Sequence, residues 1–164
     1  MPSLRHAATR TLPMRALLFV AVATLLAGCN NPPPPSINNA VAAPARQYEA
    51  AQLGRGKALF QANCAVCHGA GAQGAFTWRV AGPDGKYLPP PLNGTGHAWH
   101  HPKAALKQTI RQGTLALGGN MPPWQDKLSE QDIEDLIAWF QSLWPDEVYQ
   151  AWWEIDQRAL QARR

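Results

Sequence analysis

The chain has 164 residues, enough for one domain with additions, and 46% of them are hydrophobic, an ordinary share, although Pro (15), Gly (13) and Trp (7) are numerous. The formal charge of +4 is owed to Arg5, Arg10 and Arg15, because beyond residue 28 only 12 basic residues face 11 acids. No basic stripe interleaved with aromatics remains, which excludes nucleic acid as the expected partner.

Residues 1–15 are polar, with three Arg and no acid, and Ala16 to Ala27 is a run of apolar and small residues. This is a charged n-region followed by an h-region too short to span a bilayer comfortably. The run ends in Leu26-Ala27-Gly28-Cys29, which resembles the lipobox of bacterial lipoproteins. That resemblance implies a signal peptide over residues 1–28, cleavage before Cys29 and a diacylglyceryl group on its sulfur. A plain secretory signal and an uncleaved anchor are the competing readings. Several acyl chains would hold the protein firmly, where a single chain binds only marginally. Asn30 stands where, by the same resemblance, an Asp would favour the inner membrane, so the outer membrane is favoured. Residues 29–47 then form the lipidated Cys and a tether with four consecutive prolines, Pro32 to Pro35, and no apolar periodicity. Such a segment is semi-rigid, extended as polyproline II. At ~3.1 Å per residue its 18 residues after the Cys would reach roughly 55 Å from the bilayer.

Gln47 to Gln61 is helix-compatible. It leads into Cys64-Ala65-Val66-Cys67-His68, the C-x-x-C-H pattern of haem c attachment. Two thiols three residues apart on a helical turn can reach the two vinyl groups of one porphyrin, and the next residue presents an imidazole to the iron. A redox disulfide and half of a zinc site are the competing readings. The first lacks a surrounding βαβ pattern and the second a further Cys pair. Two haem propionates would bring the charge beyond residue 28 to about −1. Gly69 to Leu88 reads as a Gly-rich surface excursion with a short hairpin at Pro83-Asp84-Gly85, and Pro89-Pro90-Pro91-Leu92-Asn93-Gly94 follows it.

His97, Trp99, His100 and His101 form a cluster with three readings. They are surface or N-capping residues of the next helix, or ligands of a second metal such as copper, or one of them takes the second ligand position on the haem iron. Pro102 suits a first helical residue, Ala104 to Gln112 continues with Leu106 and Ile110 inward, and Gly113 caps. Met121, the only Met beyond residue 28, lies in the Gly118-Gly119-Asn120-Met121-Pro122-Pro123-Trp124 loop. Ser129 reads as an N-cap with acids in the first turn. Leu128, Ile133, Leu136, Ile137 and Phe140 fall near helical spacing, and Pro145 stops the helix. Asp146 to Arg164 is an added helix, with Val148, Trp152, Ile155 and Ala159 on its inner face.

From about Tyr48 to Trp144 this order of parts resembles the class I cytochromes c. Gly56 and Phe60 match the family's Gly and aromatic, eight and four residues before the first haem Cys. Leu136 and Trp139 match the Leu and aromatic of its C-terminal helix. The Pro-x-Leu-x-Gly element is matched with Pro90, whose carbonyl would accept the Nδ1–H of His68. The G-x-Met-Pro element gives Met121 as the sixth ligand. The resemblance implies an all-α cytochrome c fold of three to five helices around one covalent haem c, with a domain over 48–144 and a helical extension over 145–164. It assigns Cys64, Cys67, His68, Met121 and Pro90 to the cofactor, and His68 and Met121 to its iron.

The expected function is single-electron transfer in the bacterial envelope. The chain would be a lipid-anchored monomer facing the periplasm, with redox proteins as donor and acceptor. No nucleophile–base pair or phosphate loop points to an enzyme. A haem sensor or enzyme with a labile sixth ligand is one alternative. A copper-handling module built on His97, His100 and His101 is the other.

Overall fold

The computed structural model describes residues 42–164. The predicted signal peptide, Cys29 and most of the predicted tether lie outside the described residues. Five helices follow one another: α1 (Ala50–Asn63), α2 (Ala65–His68), α3 (Lys103–Gln112), α4 (Glu130–Ser142) and α5 (Asp146–Gln161). Short 3-10 turns occupy Ala98–His100 and Leu115–Leu117. Among the described residues there is no β-strand, and no helix is long and apolar enough to cross a membrane.

α4 forms where its cap predicts. Ser129 Oγ accepts from the Asp132 N–H at 3.1 Å, and the Asp132 carboxylate accepts the Ser129 N–H at 2.9 Å, a reciprocal box that satisfies two donors of the first turn. Its apolar side, with Ile133, Leu136, Ile137, Trp139 and Phe140, is buried. α1 crosses it at Gly56: a Cβ there would lie 2.0 Å from the Asp135 carbonyl oxygen and 2.8 Å from Trp139 Cβ. Only a residue without a side chain allows that approach, which explains a Gly inside a helix. One turn on, Phe60 packs on Trp139 with ring centroids 4.4 Å apart.

An ion pair also crosses this contact. Asp135, 1% exposed, accepts from Arg55 Nε at 2.7 Å and from Gln131 Nε2 at 2.8 Å. Burial raises its pKa, but the hydrogen bonds from Arg55, Gln131 and Gln52 outweigh that, leaving it below the ordinary carboxylate value. α3 is laced to α4 by Lys107 with Glu134 (2.8 Å) and Glu130 (3.1 Å), Arg111 with Glu130 (2.7 Å), and Lys103 with Glu134. Such partly exposed pairs set register more than stability.

The added helix is packed on the domain, as its Trp spacing predicts. Trp152 is buried, donates from Nε1 to the His101 carbonyl at 3.0 Å, and meets Trp144 edge-on at 6.0 Å. The Asp156 carboxylate accepts the Lys103 N–H at 2.8 Å, so α5 caps the start of α3. α3 starts one residue later than predicted, with Pro102 just before it and the N–H of its first residue, Lys103, claimed by another helix. Arg46, within the predicted tether, donates from Nη1 to the Gln141 (2.8 Å) and Trp144 (2.7 Å) carbonyls and pairs with Asp146. It thereby ties the segment before α1 to the end of α4 and the turn that follows it.

Candidate haem attachment site

The two cysteines and the histidine share one turn of chain. α1 ends at Asn63, and the N–H of the next residue, Cys64, still bonds to the Phe60 carbonyl at 2.8 Å; the Cys64 carbonyl accepts from Cys67 N (3.1 Å) and His68 N (2.9 Å). Both thiols are free, Cys64 half-buried and Cys67 exposed. Burial, reinforced by the neighbouring Cys67, pushes the Cys64 thiol up to about 11, so it is held protonated.

The His68 ring is oriented from outside the helix. Its Nδ1 lies 2.9 Å from the Pro90 carbonyl oxygen, and because a carbonyl only accepts, Nδ1 carries the proton. Burial lowers the His68 pKa, with the Pro90 bond opposing it, so the ring is neutral at pH 7 and Nε2 keeps its lone pair. A neutral imidazole with its second nitrogen fixed by a carbonyl is the form in which histidine binds a metal. Two free thiols three residues apart and this imidazole together make a donor set that fits haem c.

The strap carrying Pro90 is held on both sides. Leu92 N donates to the Ala72 carbonyl at 2.8 Å, Ala75 N to the Pro89 carbonyl at 2.9 Å and Gly74 N to the His68 carbonyl at 2.7 Å. A Cβ on Gly74 (φ 63) would lie 2.3 Å from Pro91 N, so the loop backs directly onto the strap. Ala72 is fully buried and, among the described residues, the one non-glycine with positive φ (55). On the outer side Trp144 Nε1 donates to the Leu92 carbonyl at 2.7 Å. Farther along the excursion the expected hairpin is present: Ala81 bridges Tyr87, and Gly85 N donates to the Gly82 carbonyl at 2.9 Å.

Met121 is half-buried at the end of a closed loop after α3. Thr114 N donates to the Met121 carbonyl at 2.8 Å, Met121 N donates to Thr114 Oγ1 at 3.1 Å, and Gly119 N donates to the Thr114 carbonyl at 2.8 Å. Thr114 was not singled out from the sequence. Its only signal there was a hydroxyl directly after the helix-ending Gly113.

The histidine cluster does not gather around one point. His97 stacks on Trp78 (5.2 Å) and meets His101 edge-on (5.6 Å), while His100 packs against Trp99 (3.7 Å). Among the described residues no three His, Cys, Asp or Glu side chains are grouped to hold a metal ion, so the copper alternative finds no ligand set.

The family described as "Cytochrome C oxidase, cbb3-type, subunit III" matches residues 51–140, from the first turn of α1 to the end of the α4 core. A "Cbb3-type cytochrome c oxidase subunit CcoP" of Azospirillum sp. (strain B510) is 35% identical over 95 residues, 58% of this chain and 30% of that protein. The CcoP subunit of Azospirillum brasilense is 35% identical over 98 residues, 60% of this chain and 30% of that protein. A "Cbb3-type cytochrome c oxidase subunit FixP" of Sinorhizobium medicae (strain WSM419) is 29% identical over 114 residues, 66% of this chain and 35% of that protein. The chain thus spans about a third of the length of these relatives. No solved structure matches it. The helical order, the C-x-x-C-H turn and this match together establish that the chain belongs to the cbb3-type subunit III cytochrome family, a class I c-type cytochrome domain of all-α fold bearing covalent haem c.

Proposed function

We propose that this protein is a membrane-tethered, mono-haem carrier of single electrons in the bacterial envelope. Cys64 and Cys67 would hold the haem through thioether links, His68 and Met121 would ligate its iron, and the Pro90 carbonyl would orient His68. The observation that carries this reading is the 2.9 Å bond from His68 Nδ1 to Pro90 on the same turn as both free thiols. Haem c supplies an iron that changes charge by one with little rearrangement. The chain's own groups keep the imidazole neutral and fixed, and a thioether as the second ligand favours a raised reduction potential. The named relatives are oxidase subunits, which supports respiratory redox proteins as donor and acceptor. The lipobox at Cys29 supports a lipid anchor and a periplasmic face.

The test is an absorption spectrum of the haem-loaded protein, ferric and ferrous, with and without carbon monoxide, beside Met121→Ala. The expected wild type shows the weak methionine–iron charge-transfer band and ignores carbon monoxide, and the variant loses the band and binds the gas. A wild type without the band that binds carbon monoxide readily would replace the carrier reading with sensing or catalysis.

A further inference from the structure

We propose that Trp144 is a positioning residue for the axial histidine, acting through the Leu92 carbonyl; this rests on the assignment of His68 as a ligand. The Pro89–Gly94 strap accepts through the carbonyls of Pro89, Pro90 and Leu92 but opens with three residues that cannot donate. Prolines have no N–H, so Pro89, Pro90 and Pro91 cannot anchor themselves by donating. The first amide that can is Leu92, and it is used: N to Ala72 at 2.8 Å inward, carbonyl to Trp144 Nε1 at 2.7 Å outward. Those two bonds fix the peptide two residues from Pro90, whose carbonyl meets His68 Nδ1 at 2.9 Å.

Trp144 itself has no freedom to follow a wandering strap. It is 2% exposed, packed between Phe140 (5.9 Å) and Trp152 (6.0 Å), and its carbonyl is held by Arg46 at 2.7 Å. Gly94 closes the other end: a Cβ there would lie 2.9 Å from Pro145 Cδ and 3.3 Å from Trp144 Cα. The α4–α5 corner is thus the wall against which the proximal strap is set. Donation from Nδ1 to a carbonyl makes the imidazole more basic and stabilises ferric iron. A strap released from Trp144 weakens that donation.

The experiment uses the haem-loaded full chain with Trp144→Phe, which keeps the ring and removes the donor. Trp153→Phe is the control, since it removes an indole N–H from α5, where the ring that meets Trp144 is Trp152. Trp144→Phe is expected to keep covalent haem, shift the reduction potential positive, and speed exchange of the His68 Nδ1 proton roughly tenfold, the scale of one lost hydrogen bond. Trp153→Phe is expected to leave both at wild-type values. An unchanged potential and exchange rate in Trp144→Phe, or equal shifts in both variants, overturns the proposal. Because Trp144→Phe could fail to fold, wild type gives a second reading. The Trp144 indole N–H and the His68 Nδ1–H should exchange through one opening with the same denaturant dependence, and independent openings overturn the proposal. Failure of the ligand assignment is separately visible, as a wild-type spectrum in which no His68 proton is shifted by the iron.

Discussion

Gly56 is the position where one missing side chain sets the approach of two helices. A methyl there would meet backbone rather than a movable side chain, at 2.0 Å from the Asp135 oxygen. Gly56→Ala should gain the helix propensity of Ala, up to about 1 kcal/mol, and lose more by forcing α1 off α4. The expected net cost is about 2 kcal/mol, in the range of overpacked cores, read as a lower denaturant midpoint. Gly56 and Phe60 were legible in the sequence because the resemblance to the class I cytochromes c implies a Gly and an aromatic eight and four residues before the first haem Cys. Arg55 was not. A basic residue on a polar stretch of helix gives no sign that its partner is a buried carboxylate on another element.

That partner makes the α1–α4 contact sensitive to acid. Asp135 and Glu134 both sit below the ordinary carboxylate value. For Glu134, burial pushes up and is outweighed by bonds from Lys103 and Lys107. A carboxyl depressed in the folded state contributes stability that is complete above its unfolded value, about 4, and lost as pH falls through the folded value. Thermal midpoints should therefore drop below about pH 4. Asp135→Asn should lower stability by about 1–3 kcal/mol at pH 7 and flatten the acid loss. An unchanged acid slope would remove Asp135 from the cause. At this scale the helices themselves were readable from caps and period, Ser129 and the Trp152 face above all. The ties between elements were not: Asp156 capping α3, Arg46 closing α4 and Trp144 reaching Leu92 each join residues far apart in sequence, with no local pattern to announce them.

Across the whole molecule, the attachment turn, the strap and the ligand loop come from three separate stretches of chain, and the family match over residues 51–140 contains them all. α5 lies beyond that match. Under the proposed lipid anchor, Cys29→Ser should shift the haem protein from the membrane fraction to the soluble periplasmic fraction, with an unchanged absorption spectrum. Retention in the membrane with a cleaved N-terminus would set the anchor elsewhere in the chain.

The closed loop between Thr114 and Met121 bears on how quickly, as well as whether, the sixth ligand is held. Four of its hydrogen bonds converge on one residue, Thr114, once as donor and three times as acceptor, Leu117 N and Gly119 N sharing its carbonyl. Under the proposed ligation, the sulfur cannot depart by a side-chain rotation alone without leaving the loop closed behind it and ready to return. Lasting departure requires the clasp to open as a unit, a local unfolding event with its own free energy. Competition by a foreign ligand would then be limited by the breathing of a short segment of backbone. The lifetime of the iron's coordination would be written in the hydroxyl of a threonine seven residues away.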